Sequence, residues 1–192
     1  MEKLTGHKKV NTAVFISGTG SNLKNLIKFS KTKKSPILIN LIISNTVLAK
    51  GLKYAKKFSI KKKIINFKNS KVAEKNILIF LKKYKINLIC LAGFMKILSS
   101  NFIKKFNGKI INIHPSLLPK YKGLNTHDRA IKNKDKFAGC TVHYVTAKLD
   151  SGKIIMQKKV KITTNENAAS LAKKILKKEH KLYPNSILKI YS

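Results

Sequence analysis

"TAVFISGTGSNLKNLIKF", residues 12–29, begins as one kind of secondary structure and ends as another. Thr12 to Ser17 is a short apolar strand. Gly18-Thr19-Gly20-Ser21-Asn22 follows, and a helix is predicted from about Asn22 to Phe29. Glycines permit a tight turn and a close backbone approach. The amino end of the helix then presents unpaired N–H groups to any anion placed there. A phosphate is expected on the N–H groups of Gly20, Ser21 and Asn22, beside Thr19. Two familiar phosphate loops are excluded. A dinucleotide loop needs a third glycine, where Leu23 stands, and an acid about 20 residues on. No Asp or Glu occurs between Glu2 and Glu74. A Walker loop would end in Gly-Lys-Ser/Thr, which is missing. The plain structural alternative is a turn with Ser21 or Asn22 as N-cap.

Outward from this unit, strands and helices alternate. Ile37–Ile43 is almost wholly apolar, as a parallel strand covered on both faces would be. Ala49–Phe58 reads as helix and Lys63–Asn66 as a weak strand. Val72–Tyr84 is helical, Ile86–Leu91 a buried strand, Ser99–Phe106 a helix and Lys109–Ile113 a strand. The alternation predicts a doubly wound, mostly parallel, Rossmann-like α/β sheet. After residue 135 the pattern changes. Gly139–Val145 and Ile154–Val160 are expected to pair antiparallel, before a last helix over Ala168–Leu182. One domain over 1–192 is expected, with its amino-terminal half at about 12–108 and its carboxy-terminal half at about 109–192.

The formal charge is +35, from 42 basic and 7 acidic residues. Such a charge suggests a nucleic-acid partner, but Arg129 is the single arginine, and the 41 lysines are spread along the chain. Arginine makes the bidentate contacts that read bases and phosphates, and a nucleic-acid footprint is clustered. The charge is therefore read as passive, on solvated faces, with no specific nucleic acid. Cys90 and Cys140 lie in apolar, strand-like settings, too few and too far apart for a disulfide framework or a metal site. No apolar run nears the ~20 residues of a membrane span, and the polar start, Met1 to Val10, carries no apolar signal segment. A cytoplasmic protein without membrane contact or metal is expected.

"IINIHPSLLPKYKG", residues 110–123, carries the chemistry. Residues two apart on a strand point the same way, so Asn112 and His114 project together at a strand's carboxyl end. Open α/β sheets bind ligands outside that end. An amide beside an imidazole can hold an oxygen that turns negative during acyl transfer. The alternative is a turn-capping Asn112 and a buried, satisfied His114. A protonated His114 would serve best, and a nearby carboxylate favours that state. Asp150, in the loop between the late strands, is a candidate, although Asp-Ser-Gly is also ordinary turn chemistry. Asp128 and Glu179 are the other options. His143 suits a structural role equally well.

Taken together and in order, "ISGTGSNL", "LAGFMKIL", "NIHPSLLPKYKG", "TVHYV", "LDSGKIIMQKKV" and "EHKLYP" resemble the phosphoribosylglycinamide formyltransferase family, over about residues 12–185. The resemblance implies transfer of a formyl group from 10-formyltetrahydrofolate, as co-substrate, to the amine of glycinamide ribonucleotide in purine synthesis. It implies Asn112, His114 and Asp150 as the catalytic trio. Thr19, Gly20, Ser21, Asn22 and Glu179 would bind the ribonucleotide. The folate would meet Lys71, Met95, Lys96, Ile97, Leu98, Asn112, Thr146, Ala147, Lys148, Leu149 and Asp150. Leu118-Pro119 resembles a cis peptide of that family, and a monomer or homodimer is implied. A formyltetrahydrofolate hydrolase or a tRNA formyltransferase shares this core but carries a further domain. A lysine-rich nucleic-acid-binding module is the non-enzyme alternative. Departures from the family pattern are Asn125 in place of a first histidine, with His127 matching the second, and Lys96 in place of Arg. The chain also stops at Ser192, short of a usual C-terminal strand segment, and has about nine residues before the first strand.

Overall fold

The computed structural model describes residues 9–192. Seven strands form one sheet in the order β3-β2-β1-β4-β5-β6-β7. They are β1 (Val10–Ile16), β2 (Ile37–Ser44), β3 (Lys61–Ile64), β4 (Leu88–Leu91), β5 (Lys109–His114), β6 (Phe137–Tyr144) and β7 (Ile154–Lys161). The first five run parallel, whereas β6 and β7 pair antiparallel, as their short connection requires. The helices are α1 (Ser21–Ser30), α2 (Lys53–Lys57), α3 (Ser70–Lys83), α4 (Ser100–Lys105), α5 (Thr126–Lys132) and α6 (Ala168–Tyr191). One face of the sheet buries Val14, Ile16, Cys90 and Ile111 under α1 and α6. The other buries Ala13, Phe15, Ile89 and Ile110 under α3 and α4. The inner strands β1, β2 and β4 are therefore largely apolar and buried, as the doubly wound expectation requires, whereas the edge strands β3 and β7 carry exposed lysines.

The chain winds outward from β1 through β2 and β3, then returns to β4 on the other side. The turns after β1 and β4 thus part at the switch point, where such sheets bind ligands. Ser17 ties them together. Its N–H donates to the Gly93 carbonyl at 3.0 Å, its hydroxyl to Asn45 Oδ1 at 2.5 Å, and the Met95 N–H donates to its hydroxyl at 2.8 Å.

Four expectations need correction. The stretch read as one helix over Ala49–Phe58 is a 3₁₀ turn at Lys50–Leu52 followed by the short α2. Gly51 forces this, because its backbone packs on Gly20, as described below. Helix α5 was not expected: only Thr126 and Ala130 are buried, so it carries no periodic apolar signal. The weak strand at Lys63–Asn66 is shifted to Lys61–Ile64, where it pairs with Leu41–Ser44. The last helix runs through Pro184 to Tyr191 instead of stopping at Leu182. A proline inside a helix orphans the carbonyl four residues back. That carbonyl belongs to His180, and Asn25 Nδ2 of α1 donates to it at 2.6 Å. The interruption is thereby satisfied from a neighbouring helix. Tyr183, wholly buried, sets its hydroxyl 3.0 Å from the Leu91 carbonyl and 3.2 Å from that of Ile111, fixing α6 over β4 and β5.

Candidate active site

The carboxyl end of β5 presents Asn112 and His114 to one side, and the antiparallel partner β6 sets His143 opposite Asn112. Asn112 Nδ2 lies 3.4 Å from His143 Nε2. The β6–β7 connection then brings in Asp150. Gly152 shapes that connection, since a Cβ there would fall 1.7 Å from the Tyr144 carbonyl oxygen. Asp150 itself takes φ 43, a conformation tolerated best by Asp, Asn and Gly. Its Oδ2 lies 3.4 Å from His114 Nδ1 and accepts from the Gly123 N–H at 2.9 Å, while its Oδ1 lies 3.5 Å from His143 Nε2. One buried carboxylate is thus bracketed by two buried imidazoles and a backbone amide.

The tautomers follow from the partners. The His114 Nε2–H donates to the Tyr121 carbonyl at 2.8 Å, so Nδ1 is the nitrogen that faces Asp150. The His143 Nδ1–H donates to the Tyr144 carbonyl at 2.8 Å. Burial pushes the Asp150 carboxyl up, but His143 and His114, in the protonated forms that can donate to it or carry charge beside it, and the hydrogen bond from Gly123 outweigh it, and its pKa falls below 3.8. His114 goes against expectation. Burial pushes its pKa down, the Tyr121 carbonyl and Asp150 pull it up, and burial prevails, leaving it below 6.5. The resting imidazole is therefore neutral at neutral pH rather than protonated, because desolvation outweighs the neighbouring carboxylate.

Across the crevice, α1 begins at Ser21 with Gly20 as its N-cap, at φ 74. Neither Ser21 nor Asn22 caps the helix, which corrects the plain alternative. Their side chains are engaged by α6 instead: Ser21 Oγ lies 2.6 Å from His180 Nε2, and Asn22 Nδ2 donates to Glu179 Oε2 at 2.7 Å. The first-turn N–H groups therefore have no side-chain cap. A Cβ on Gly20 would stand 2.6 Å from the Gly51 Cα, so two glycine backbones are pressed together here. Glu179 is buried, and burial raises its carboxyl above 4.5 against the lowering by Asn22. Thr19 is exposed, and Asn22 Oδ1 is buried without a partner among the described residues.

The two expected folate segments share one face. Val145, just before Thr146, packs on the same apolar cluster as Phe94 and Leu98. Met95 and Ile97 are 61% and 66% exposed, unusually open for apolar side chains, and Leu149 is 48% exposed. Thr146, Ala147, Lys148 and Lys96 are also exposed. The segment's far end is pinned where the Ser99 N–H and hydroxyl donate to the buried Glu74 carboxylate at 2.7 and 2.5 Å. Lys71, in the first turn of α3, is exposed and makes no hydrogen bond or ion pair among the described residues. Asn125 is the N-cap of α5 at φ 55 without a side-chain cap bond, and His127 Nε2 is buried and unpartnered. The Leu118-Pro119 peptide is cis, as the resemblance implied. Sequence reading undervalued His143, His180 and Gly51. His143 carried one usable signal, its odd polarity in an otherwise apolar strand.

A family model described as formyl transferase matches residues 10–187. The chain is 41% identical to the human trifunctional purine biosynthetic protein adenosine-3, over 96% of this chain but 19% of that protein. It thus spans about a fifth of the length of its trifunctional relatives. It is also 41% identical to phosphoribosylglycinamide formyltransferase of Haemophilus influenzae, over 90% of this chain and 82% of that protein. The crystal structure of phosphoribosylglycinamide formyltransferase from Brucella melitensis matches with a TM-score of 0.90 and 40% identity, covering 95% of this chain and 96% of that one. With its crevice and its bracketed carboxylate in place, the chain belongs to the formyl transferase family, among the phosphoribosylglycinamide formyltransferases.

Proposed function

We propose that this protein transfers the formyl group of 10-formyltetrahydrofolate to the amine of glycinamide ribonucleotide, giving formylglycinamide ribonucleotide and tetrahydrofolate. The observation that carries the reading is Asp150, set between His114 and His143 beside Asn112, at the carboxyl end of β5. The glycine loop at the neighbouring switch point supplies an uncapped helix terminus for the ribonucleotide phosphate. Asn22 Oδ1, buried and unpartnered, offers an acceptor to a sugar hydroxyl, and Glu179 lies next to it. The open Met95, Ile97 and Leu149 side chains suit a flat folate ring, which would cover them.

In the chemistry, the substrate amine attacks the formyl carbon, a C–N bond forms, and the carbonyl electron pair moves to oxygen. Asn112 would donate an amide N–H to that oxygen. The neutral His114 would take up, at Nδ1, the nitrogen left free by the Tyr121 bond, the proton lost by the attacking amine. It would give that proton to the folate nitrogen as the oxygen's electron pair re-forms the carbonyl and the bond from the formyl carbon to that nitrogen breaks. Asp150, ionised at neutral pH, would stabilise the imidazolium as it forms. His143 and the Gly123 amide hold Asp150 for that task. The two halves of the chain would divide the work, with about 12–108 on the nucleotide-phosphate side and about 109–192 on the catalytic and folate side. Lys71 is kept as a folate contact that the structure does not join to the site.

The test mixes purified protein with glycinamide ribonucleotide and 10-formyltetrahydrofolate and follows free tetrahydrofolate. Release that requires the ribonucleotide supports the reading. Release with formate but without the ribonucleotide points to a hydrolase, and no release overturns formyl transfer.

A further inference from the structure

We propose that Arg129 is a positioning residue for the His114–Asp150 pair, acting through the loop Tyr121–Leu124. The proposal rests on the formyl-transfer reading only for its kinetic test. This loop supplies one restraint on each member of the pair: the Tyr121 carbonyl accepts from His114 Nε2, and the Gly123 N–H donates to Asp150 Oδ2, beside His143 on the other carboxylate oxygen. The loop is not a relaxed one. Tyr121 has φ 54 and Gly123 φ 78, and Asn125 just beyond has φ 55. A left-handed conformation is unfavourable for a non-glycine residue, so it persists only where surrounding contacts over-determine it.

Arg129 supplies those contacts. Its Nη1 donates to the Lys122 carbonyl at 2.8 Å and reaches the Leu124 carbonyl at 3.4 Å, spanning Gly123 from both sides. Its guanidinium also lies 4.9 Å from the Tyr121 ring centroid. The ring is anchored at its far end, where Asn133 Nδ2 donates to the hydroxyl at 2.8 Å and the hydroxyl donates to Asp135 at 2.9 Å. One planar group thus grips two carbonyls and a ring. A lysine ammonium is a point charge on a flexible stem, without the plane that holds Nη1 between the two carbonyls while the guanidinium lies against the ring. The composition gives this weight: of 42 basic residues, 41 are lysine, and the single arginine stands at this loop.

Arg129→Lys keeps the charge and removes the rigid planar group that joins the two carbonyls to the ring. Hydrogen exchange of the Gly123 amide is expected to quicken about tenfold, while that of Lys24, at the glycine loop, stays unchanged. Single-turnover formyl transfer is expected to fall about tenfold, since small misplacements of reacting groups are costly. The dissociation constant for glycinamide ribonucleotide is expected to hold. Faster Gly123 exchange with a normal transfer rate would reduce Arg129 to a surface clamp and overturn the proposal, as would no change in either. If the wild-type protein transfers no formyl group, the functional reading fails, and the exchange measurement alone decides whether Arg129 positions the Gly123 amide on Asp150: quickening supports that positioning and no change overturns it.

Discussion

Asp150, on the β6–β7 connection, and Glu179, on α6, are carboxylates both largely withdrawn from water, and their surroundings push them in opposite directions. Asp150 receives the Gly123 amide and lies against His114 and His143, and its pKa is lowered although burial opposes this. Glu179 has Asn22 as its hydrogen-bond donor, and burial raises it. Burial is common to both, and the donors around each carboxylate decide the sign. Asp150 keeps its charge at rest, as the proposed catalytic role asks. Glu179 holds a carboxylate at a cost that substrate hydroxyls would offset if the ribonucleotide binds there as proposed.

The largest effect should come from removing the charge of Asp150 without disturbing its backbone. Asp150→Asn suits this, because Asn tolerates φ 43 equally well. Single-turnover transfer should fall by ~10²–10³, the usual loss for one electrostatic contribution. His114→Asn should cost at least as much, and the double variant less than the sum, since groups acting as a unit are non-additive. Near-normal turnover in Asp150→Asn would leave Asp150 a turn residue.

Glu179→Gln should do the reverse of a usual active-site loss. Binding of glycinamide ribonucleotide should weaken about tenfold or more, a charged hydrogen bond being worth roughly 1.5–3 kcal/mol. Stability should rise. A raised folded pKa means that the unfolded chain ionises first as pH climbs past 4.5, so the native form pays a growing penalty above that value. Denaturation midpoints of the two proteins should coincide near pH 4 and separate by pH 7.5. A variant less stable than wild type at pH 7.5 would undo the contrast with Asp150.

Gly20→Ala probes the nucleotide side through the backbone. The new Cβ would meet Gly51 at 2.6 Å in a left-handed conformation. A stability loss of about 1–3 kcal/mol is expected, with weaker ribonucleotide binding and folate binding nearly unchanged. Equal loss of both ligands would assign the glycines to folding alone.

The smallest effect is a pH slope. Burial lowers His114, His127 and His180 below 6.5. The unfolded chain therefore protonates first as pH falls, and stability should decline below pH 6.5. Asp150 adds stability above 3.8 that is lost as pH falls through its lower folded value. A His180→Gln variant should show a shallower decline between pH 6.5 and 5, measured by denaturant midpoints. An unchanged slope would remove His180 from the account.

The alternation of strands and helices was legible because it rests on local periodicity, and each core strand is apolar on both faces. The glycine turn and the Asn112–His114 pair were legible for the same reason, as strand-end features with fixed spacing. Helix α5 was hidden because a seven-residue segment with two buried positions has no period to read. Pro184 misled because a proline normally ends a helix, and nothing local to it reveals that Asn25, 155 residues from His180, takes over the orphaned carbonyl.

Local sequence therefore settled the sheet and its glycine turn, since periodicity and turn chemistry act over a few residues, and it placed Asn112 and His114 on one side of a strand end, whereas Asp150 was one acid among three until the family resemblance singled it out. Tertiary packing settled the charge states. Whether His114 rests neutral, whether Asp150 is lowered and Glu179 raised, and which nitrogen of His114 is free all depend on burial and on donors from distant segments. Those segments are Tyr121 and Gly123 in one loop, His143 on β6 and Asn22 on α1. A pKa is a property of the space around a group, and that space exists only once the chain has closed on itself.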